Sequence, residues 1–247
     1  MRNTWTIAKR EFVHYFVSPI AYAVAVLFLS ILGLLFVANV NNVAQQGGSP
    51  SISFVFGPLT TLLLFFAPVL TMRLLADEQS KGTLELLLTS PLQEWELVVG
   101  KWLGAWMFGL CLLATTTIYA VILYAYGNPD TGVVYAGLLG LALLIGAILA
   151  IGLFASSLTG NLITAVAIGY AFVLTIWIIG FVGQVVRVLF GGNQVIATVT
   201  DYIDFAGHFS NTFNRGIIDT TDIVYFVSVI AITLFLATRV VEARRWR

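Results

Sequence analysis

The sequence predicts an all-α integral membrane protein with six transmembrane helices. Three observations carry that expectation. Only 10% of the 247 residues are charged, whereas soluble domains carry about 25%. Mean hydropathy is +0.96, and 59% of residues are hydrophobic. The apolar residues also fall into six runs, near 18–39, 54–72, 97–125, 133–155, 162–183 and 222–239. Each is close to or above the roughly 20 residues needed to cross a bilayer. None has a charge in its central turns. In water such a chain would expose far too much apolar surface, so residues 1–247 read as one transmembrane domain.

The leader "RNTWTIAKREFVHYF" comes before the first span. At 100° per residue Trp5, Ala8, Phe12, Tyr15 and Phe16 share one face, opposite Thr6, Arg10, Glu11 and His14. This pattern predicts an amphipathic helix lying in the membrane interface. Ser18-Pro19 separates it from span one. The run that follows is too long for the core of a cleaved signal peptide.

Lysine and arginine are unevenly distributed. With the N-terminus inside, the inner set is Arg2, Lys9, Arg10, Arg73, Lys81, Lys101, Arg239, Arg244, Arg245 and Arg247. The outer set is only Arg187 and Arg215. This bias predicts both termini in the cytoplasm of a bacterial or archaeal cell with the chain in its inner membrane. The charged stretch between spans two and three is then cytoplasmic.

That stretch runs "MRLLADEQSKGTLELLLTSPLQEWELVVGK" from Met72. Gly82 suits the left-handed conformation that ends a helix, so span two is expected to continue to about Lys81. Thr83 would cap a short helix with Leu84, Glu85, Leu86, Leu87 and Leu88. Ser90-Pro91 with Gln93 is a helix-start signal, and Glu94 and Glu96 suit the first turns. Span three, from Pro91 to Ala125, would then be roughly 50 Å long, against a hydrocarbon core of about 30 Å. The leucines of the short helix either fold back on the bundle or enter a pocket on a cytoplasmic partner.

Farther on, Ala105/Gly109, Ala136/Gly140 and Gly100/Gly104 are small residues four apart, which permit close helix approach without naming a partner. Ser156-Ser157 reads as the end cap of span four. Span five carries Tyr170, Thr175 and Trp177 among aliphatics, candidate lining for an amphiphile path. The segment 184–221 is long for a loop. Its "VVRVLF" and "VIATVTDYIDF" pieces predict short re-entrant or interfacial helices before span six. Arg215 and Asp219 are four apart and would pair on a helix, as an exposed ion pair or an outer gate.

Several chemistries find no support. The one Gly-Lys, Gly100-Lys101, lacks the remaining P-loop positions. No cofactor is therefore assigned and no enzyme activity is expected; any ATP hydrolysis belongs to another chain. Ion-coupled carriers place ionisable residues within spans, and Lys101 lies near a span end, where it can snorkel. His14 and His208, the only histidines, sit outside the spans, which disfavours haem ligation. There is no H-E-x-x-H, and Ser156-Ser157 lacks a base. Cys111 is alone, so no intrachain disulfide forms. A net charge of zero gives no field to recruit nucleic acid. A non-transporting membrane scaffold of a secretion or motility complex would show the same absences.

The stretch Asp77, Glu78, Gly82-Thr83-Leu84-Glu85, Leu86–Leu88, Ser90-Pro91, Gly100-Lys101 resembles the signature of ABC-2 type transporter permeases. A second run, Phe209, Phe213, Arg215-Gly216, Ile218-Asp219-Thr220, Asp222, Tyr225, resembles the gliding-motility-type subgroup. The resemblance spans essentially the whole chain. It implies an export permease that pairs with a second permease protomer, identical or not, in membrane lipid. It implies two separate ABC ATPase subunits bound from the cytoplasm, and in this subgroup a partner with an extracytoplasmic domain. On that analogy Thr83–Leu88, with Glu78 and Gly82, forms the coupling helix.

Overall fold

The computed structural model describes residues 2–45, 51–84, 92–126, 130–190, 199–200 and 202–245. Glu85–Leu88, Ser90, Pro91 and most of the "VIATV" piece lie outside these residues. Among the described residues all regular structure is helical: α1 (Arg2–Val17), α2 (Pro19–Gln45), α3 (Ser53–Thr71), α4 (Ala76–Ser80), α5 (Glu94–Tyr126), α6 (Thr131–Leu158), α7 (Leu162–Phe190), α8 (Phe205–Ser210), a 3₁₀ turn (Phe213–Arg215) and α9 (Thr220–Arg245). Six helices are long and apolar enough to cross a membrane. They coincide with the six expected runs, because a lipid-spanning backbone must satisfy its own hydrogen bonds and only a helix does so within one segment.

The centre is α6, which packs against α3, α5, α7 and α9. Leu141, Leu144, Ile148 and Leu153 on it are fully buried. A helix apolar all round is an interior helix. Trp102 and Trp106 on α5 stack 5.3 Å apart, and their indole N–H groups donate to the Gly146 and Ala142 carbonyls of α6, both at 2.9 Å. Two polar tips are thereby satisfied inside the bundle, as buried indoles require.

The bundle has two dissimilar ends. The distal end is aromatic: Phe56, Phe205, Phe209, Phe213 and Phe226 are buried there. Phe213 seats on Gly140, where a Cβ would stand 2.6 Å from the phenylalanine Cβ, so only glycine fits. The 3₁₀ turn that delivers Phe213 is closed by Gly216 at φ 83°. The basal end carries α1, α4 and the last turns of α6 and α9; Arg244 donates to the Ser157 and Leu158 carbonyls.

Three expectations change. "VVRVLF" is a continuation of α7 to Phe190 and not a separate interfacial helix. Arg215 and Asp219 do not share a helix, because Gly216 turns left-handed between them. Asp219 instead accepts from the Thr221 N–H at 2.9 Å as the chain enters α9, and that bond holds its carboxyl below the usual range. Span two does not run unbroken to Lys81: α3 stops at Thr71, four turn residues follow, and α4 begins at Ala76.

Candidate functional site at the basal end

The leader is helical, as its periodicity predicts, and one stripe of it packs on the bundle. The buried stripe is Thr4, Ile7, Ala8 and Tyr15, while Trp5 and Phe16 are exposed along with Val13 and Val17. The stripe lies on α5 at Gly100 and Gly104. A Cβ on Gly100 would stand 2.8 Å from Ile7, and one on Gly104 2.6 Å from Glu11. These two small residues therefore admit the leader helix and not another span. Asn3 extends the contact, donating to Glu96 at 3.1 Å. Glu96 also accepts from the Gln93 N–H at 3.5 Å, a capping-box contact at the start of α5. Tyr15 donates to the Leu70 carbonyl at 2.9 Å and ties α1 to α3; burial pushes its phenol pKa upward, helped by Glu11.

Glu11 is mostly withdrawn from water, its side chain 12% exposed. The Lys101 ammonium lies 2.8 Å from Glu11 Oε1 and 2.8 Å from Glu78 Oε1. Lys101 is 1% exposed, so the expected snorkelling does not occur. Arg10 closes the group at 3.4 Å from Glu11 and 3.6 Å from Glu78. Burial alone would raise the Glu11 carboxyl, but Lys101 and then Arg10 hold it below the ordinary range. An ammonium away from water is tolerated only when paired and hydrogen-bonded. Three elements, α1, α4 and α5, thus meet at one cation. Because Coulomb energy in a low-dielectric site is steep in distance, moving α4 by an ångström weakens its tie to both other helices.

The break between α3 and α4 is held by one side chain. Ser156 Oγ accepts from the Leu75 and Ala76 N–H groups at 3.1 and 2.9 Å, and donates to the Met72 carbonyl at 2.9 Å. Ser156 therefore does not cap its own helix; it supplies, from α6, the cap that α4 lacks locally. Ser157 bonds back to Phe154 within α6, and its carbonyl accepts from Gln79 at 3.0 Å.

After α4, Gly82 has φ 69°, the left-handed conformation expected of it. Thr83 is exposed and its hydroxyl donates to the Glu78 carbonyl at 3.3 Å. Leu84 is buried in the bundle's own core. Thr83 and Leu84 are helical; Glu85, Leu86, Leu87 and Leu88 lie outside the described residues. Of the expected coupling residues, Glu78 alone contacts Lys101, and Thr83 reaches it only through the Glu78 carbonyl.

The remaining candidates lie elsewhere. On α7 the Tyr170 hydroxyl donates to the Phe65 carbonyl of α3, and Thr175 bonds back to Ala171 on its own helix. Trp177 is 39% exposed on the outer surface of the chain. Among the described residues no ion pair joins Arg215 to Asp219. His208 stacks on Tyr225 at 4.0 Å, and its two ring nitrogens face the Asp222 carboxylate and the Tyr202 carbonyl. It is a packed polar residue of the distal end.

Sequence reasoning missed the Glu11–Lys101–Glu78 node and the Ser156 bracket. A signal for the first existed: Ile7, Glu11 and Tyr15 are spaced by four, as are Leu97, Lys101 and Ala105. Each charge sits on the buried stripe of its helix.

Comparison with known proteins completes the site's setting. Residues 5–244 match the family described as "ABC-2 family transporter protein". The chain is similar to "Probable ABC transporter permease protein NosY" of Pseudomonas aeruginosa, with 34% identity over 123 residues. That match covers 48% of the chain and 43% of the relative, so the chain spans less than half of the relative's length. Six spanning helices and a family match over nearly the whole length lead to one conclusion: this chain belongs to the ABC-2 family of transporter permeases.

Proposed function

We propose that the chain is the membrane subunit of an ATP-driven exporter, energised by a separate ABC ATPase that docks at its basal end. The observation that carries this reading is the Lys101 node. A docking loop must pass thrust to the spans, and Glu78, five residues before Thr83, shares Lys101 with α1 and α5. The excess of lysine and arginine at the basal end supports its placement in the cytoplasm. Thr83 and Glu85–Leu88 would meet the ATPase, with Leu84 anchoring their helix to the bundle. The absence of a P-loop motif in the sequence assigns nucleotide hydrolysis to the partner. A second permease protomer would face this one across the seam opened by α4 movement, with Tyr170, Thr175 and Trp177 towards the path. Arg215 and Asp219, at the distal mouth, would gate it or seat an extracytoplasmic partner. The run from Phe209 to Tyr225 supports assignment to the gliding-motility-type subgroup.

The test is Glu85→Arg combined with Leu87→Asp, which spares buried Leu84. Co-purification of the ATPase, and the permease's effect on its ATP hydrolysis, should fall at least tenfold, as expected for losing a charged hot-spot contact of about 2 kcal/mol. Membrane insertion should persist. Undiminished ATPase recruitment by the double variant would end this reading.

A further inference from the structure

At the basal end a cavity of about 460 Å³ opens between α1, the start of α2 and the α3–α4 turn. Part of its lining is apolar, including Val17, Ile20, Val69 and Leu70. Val17 and Ile20 are 74% and 41% exposed, so this wall merges with the lipid-facing surface. Arg10, His14 and Arg73 also line the cavity.

The charges there are unevenly paired. Lys101 is shared by Glu11 and Glu78, Lys81 pairs with Asp77 at 2.7 Å, and Arg10 approaches the same two glutamates. Arg73 remains. It donates to Ser18 Oγ at 3.0 Å, and among the described residues no carboxylate pairs with it. Arg10, Arg73 and Lys101 on the lining are matched in number by Glu11, Asp77 and Glu78, but Asp77 is taken by Lys81 from outside the cavity, so among the described residues Arg73 is the lining cation left without a carboxylate partner. A guanidinium has five N–H donors in a fixed fork, so most of those on Arg73 are open to an anion. At a bilayer surface the anion that carries its own apolar tail is a phosphodiester headgroup, and arginine suits it geometrically.

We propose that this cavity binds the phosphate-bearing headgroup of an amphiphile, a phosphoglyceride of the adjoining leaflet. Arg73 holds the phosphate, His14 stands at the rim, and an acyl chain follows the wall formed by Val17, Ile20, Val69 and Leu70. The bound lipid wedges α1 against α3 beside the Lys101 node.

The experiment uses the full chain, purified in detergent, stripped of lipid and titrated while bound species are counted by native mass spectrometry. The probes are phosphatidylglycerol, phosphatidylethanolamine, diacylglycerol and inorganic phosphate. The proposal expects both phosphoglycerides to be retained at least tenfold more tightly than diacylglycerol or inorganic phosphate. Arg73→Gln should lower that retention about tenfold, the effect of losing a hydrogen-bonded charge partner, and Arg73→Lys should restore most of it. Exposed His14→Glu, which places a negative charge at the rim without touching the core, should weaken retention as well and decides the matter if Arg73→Gln does not fold. Equal retention of diacylglycerol would overturn the proposal, as would inorganic phosphate binding as tightly as lipid. Unchanged phosphoglyceride retention in both Arg73→Gln and His14→Glu would also overturn it.

Discussion

The two ends of the bundle are built from different interactions. At the basal end, α1, α4 and α5 are joined through one buried ammonium, and the α3–α4 break is held by one serine hydroxyl. At the distal end, Phe56, Phe205, Phe209, Phe213 and Phe226 interlock around α6, α8 and α9. Aromatic packing is dense and resists small displacements. Hydrogen bonds and ion pairs are directional and can be exchanged one partner at a time, which suits an element that has to move. The contrast therefore separates an anchored end from an adjustable one, and single substitutions at each end test it.

The largest effect is expected at Lys101. Lys101→Met leaves Glu11 and Glu78 facing each other with only the more exposed Arg10 beside them. Removing one partner of a buried pair costs about 3–5 kcal/mol, so thermal unfolding in detergent should shift strongly downward. Adding Glu11→Gln and Glu78→Gln should recover most of the loss. If the triple variant is no more stable than Lys101→Met alone, the node is not electrostatic in origin.

Next comes the distal end. Phe213→Ala empties the seat on Gly140 and should cost about 3 kcal/mol by cavity formation. ATPase recruitment should be unaffected, because the loss lies at the opposite end from α4. Recruitment falling in parallel with stability would erase the distinction between the ends.

The smallest effect is a pH dependence of the α1 contact. The folded Glu11 carboxyl is held below its unfolded value, mainly by Lys101 acting against burial. Its contribution is therefore fully present above the ordinary carboxylate range and is lost as pH falls through the lowered folded value. Limited proteolysis between α1 and α2 should accelerate only below the ordinary carboxylate range, and Glu11→Gln should remove that acid step. An acid step of the same size in Glu11→Gln would assign it to another group.

Some of the basal end was legible in the sequence and some was not. Gly82 announced its left-handed turn, and the leader announced a helix. The stripe by which the leader packs on the bundle was not legible, because Glu11 beside it does not look like a packing residue. On a face turned to lipid, large apolar side chains would gain nothing by turning inward. Position next to Gly100 and Gly104 decided the matter. Ser156 gave no local signal at all: the groups it satisfies belong to residues about eighty positions earlier.

The order of amino acids alone was enough for the class of protein and the number of its long apolar helices. Those follow from hydropathy along the chain, because each spanning helix satisfies its backbone within its own segment. Which charges meet is a matter of packing. Glu11, Glu78 and Lys101 lie 90 and 23 residues apart in the pairs they form, and what joins them is the angle and closeness at which α1 crosses α5, a property of two packed surfaces that no single segment encodes.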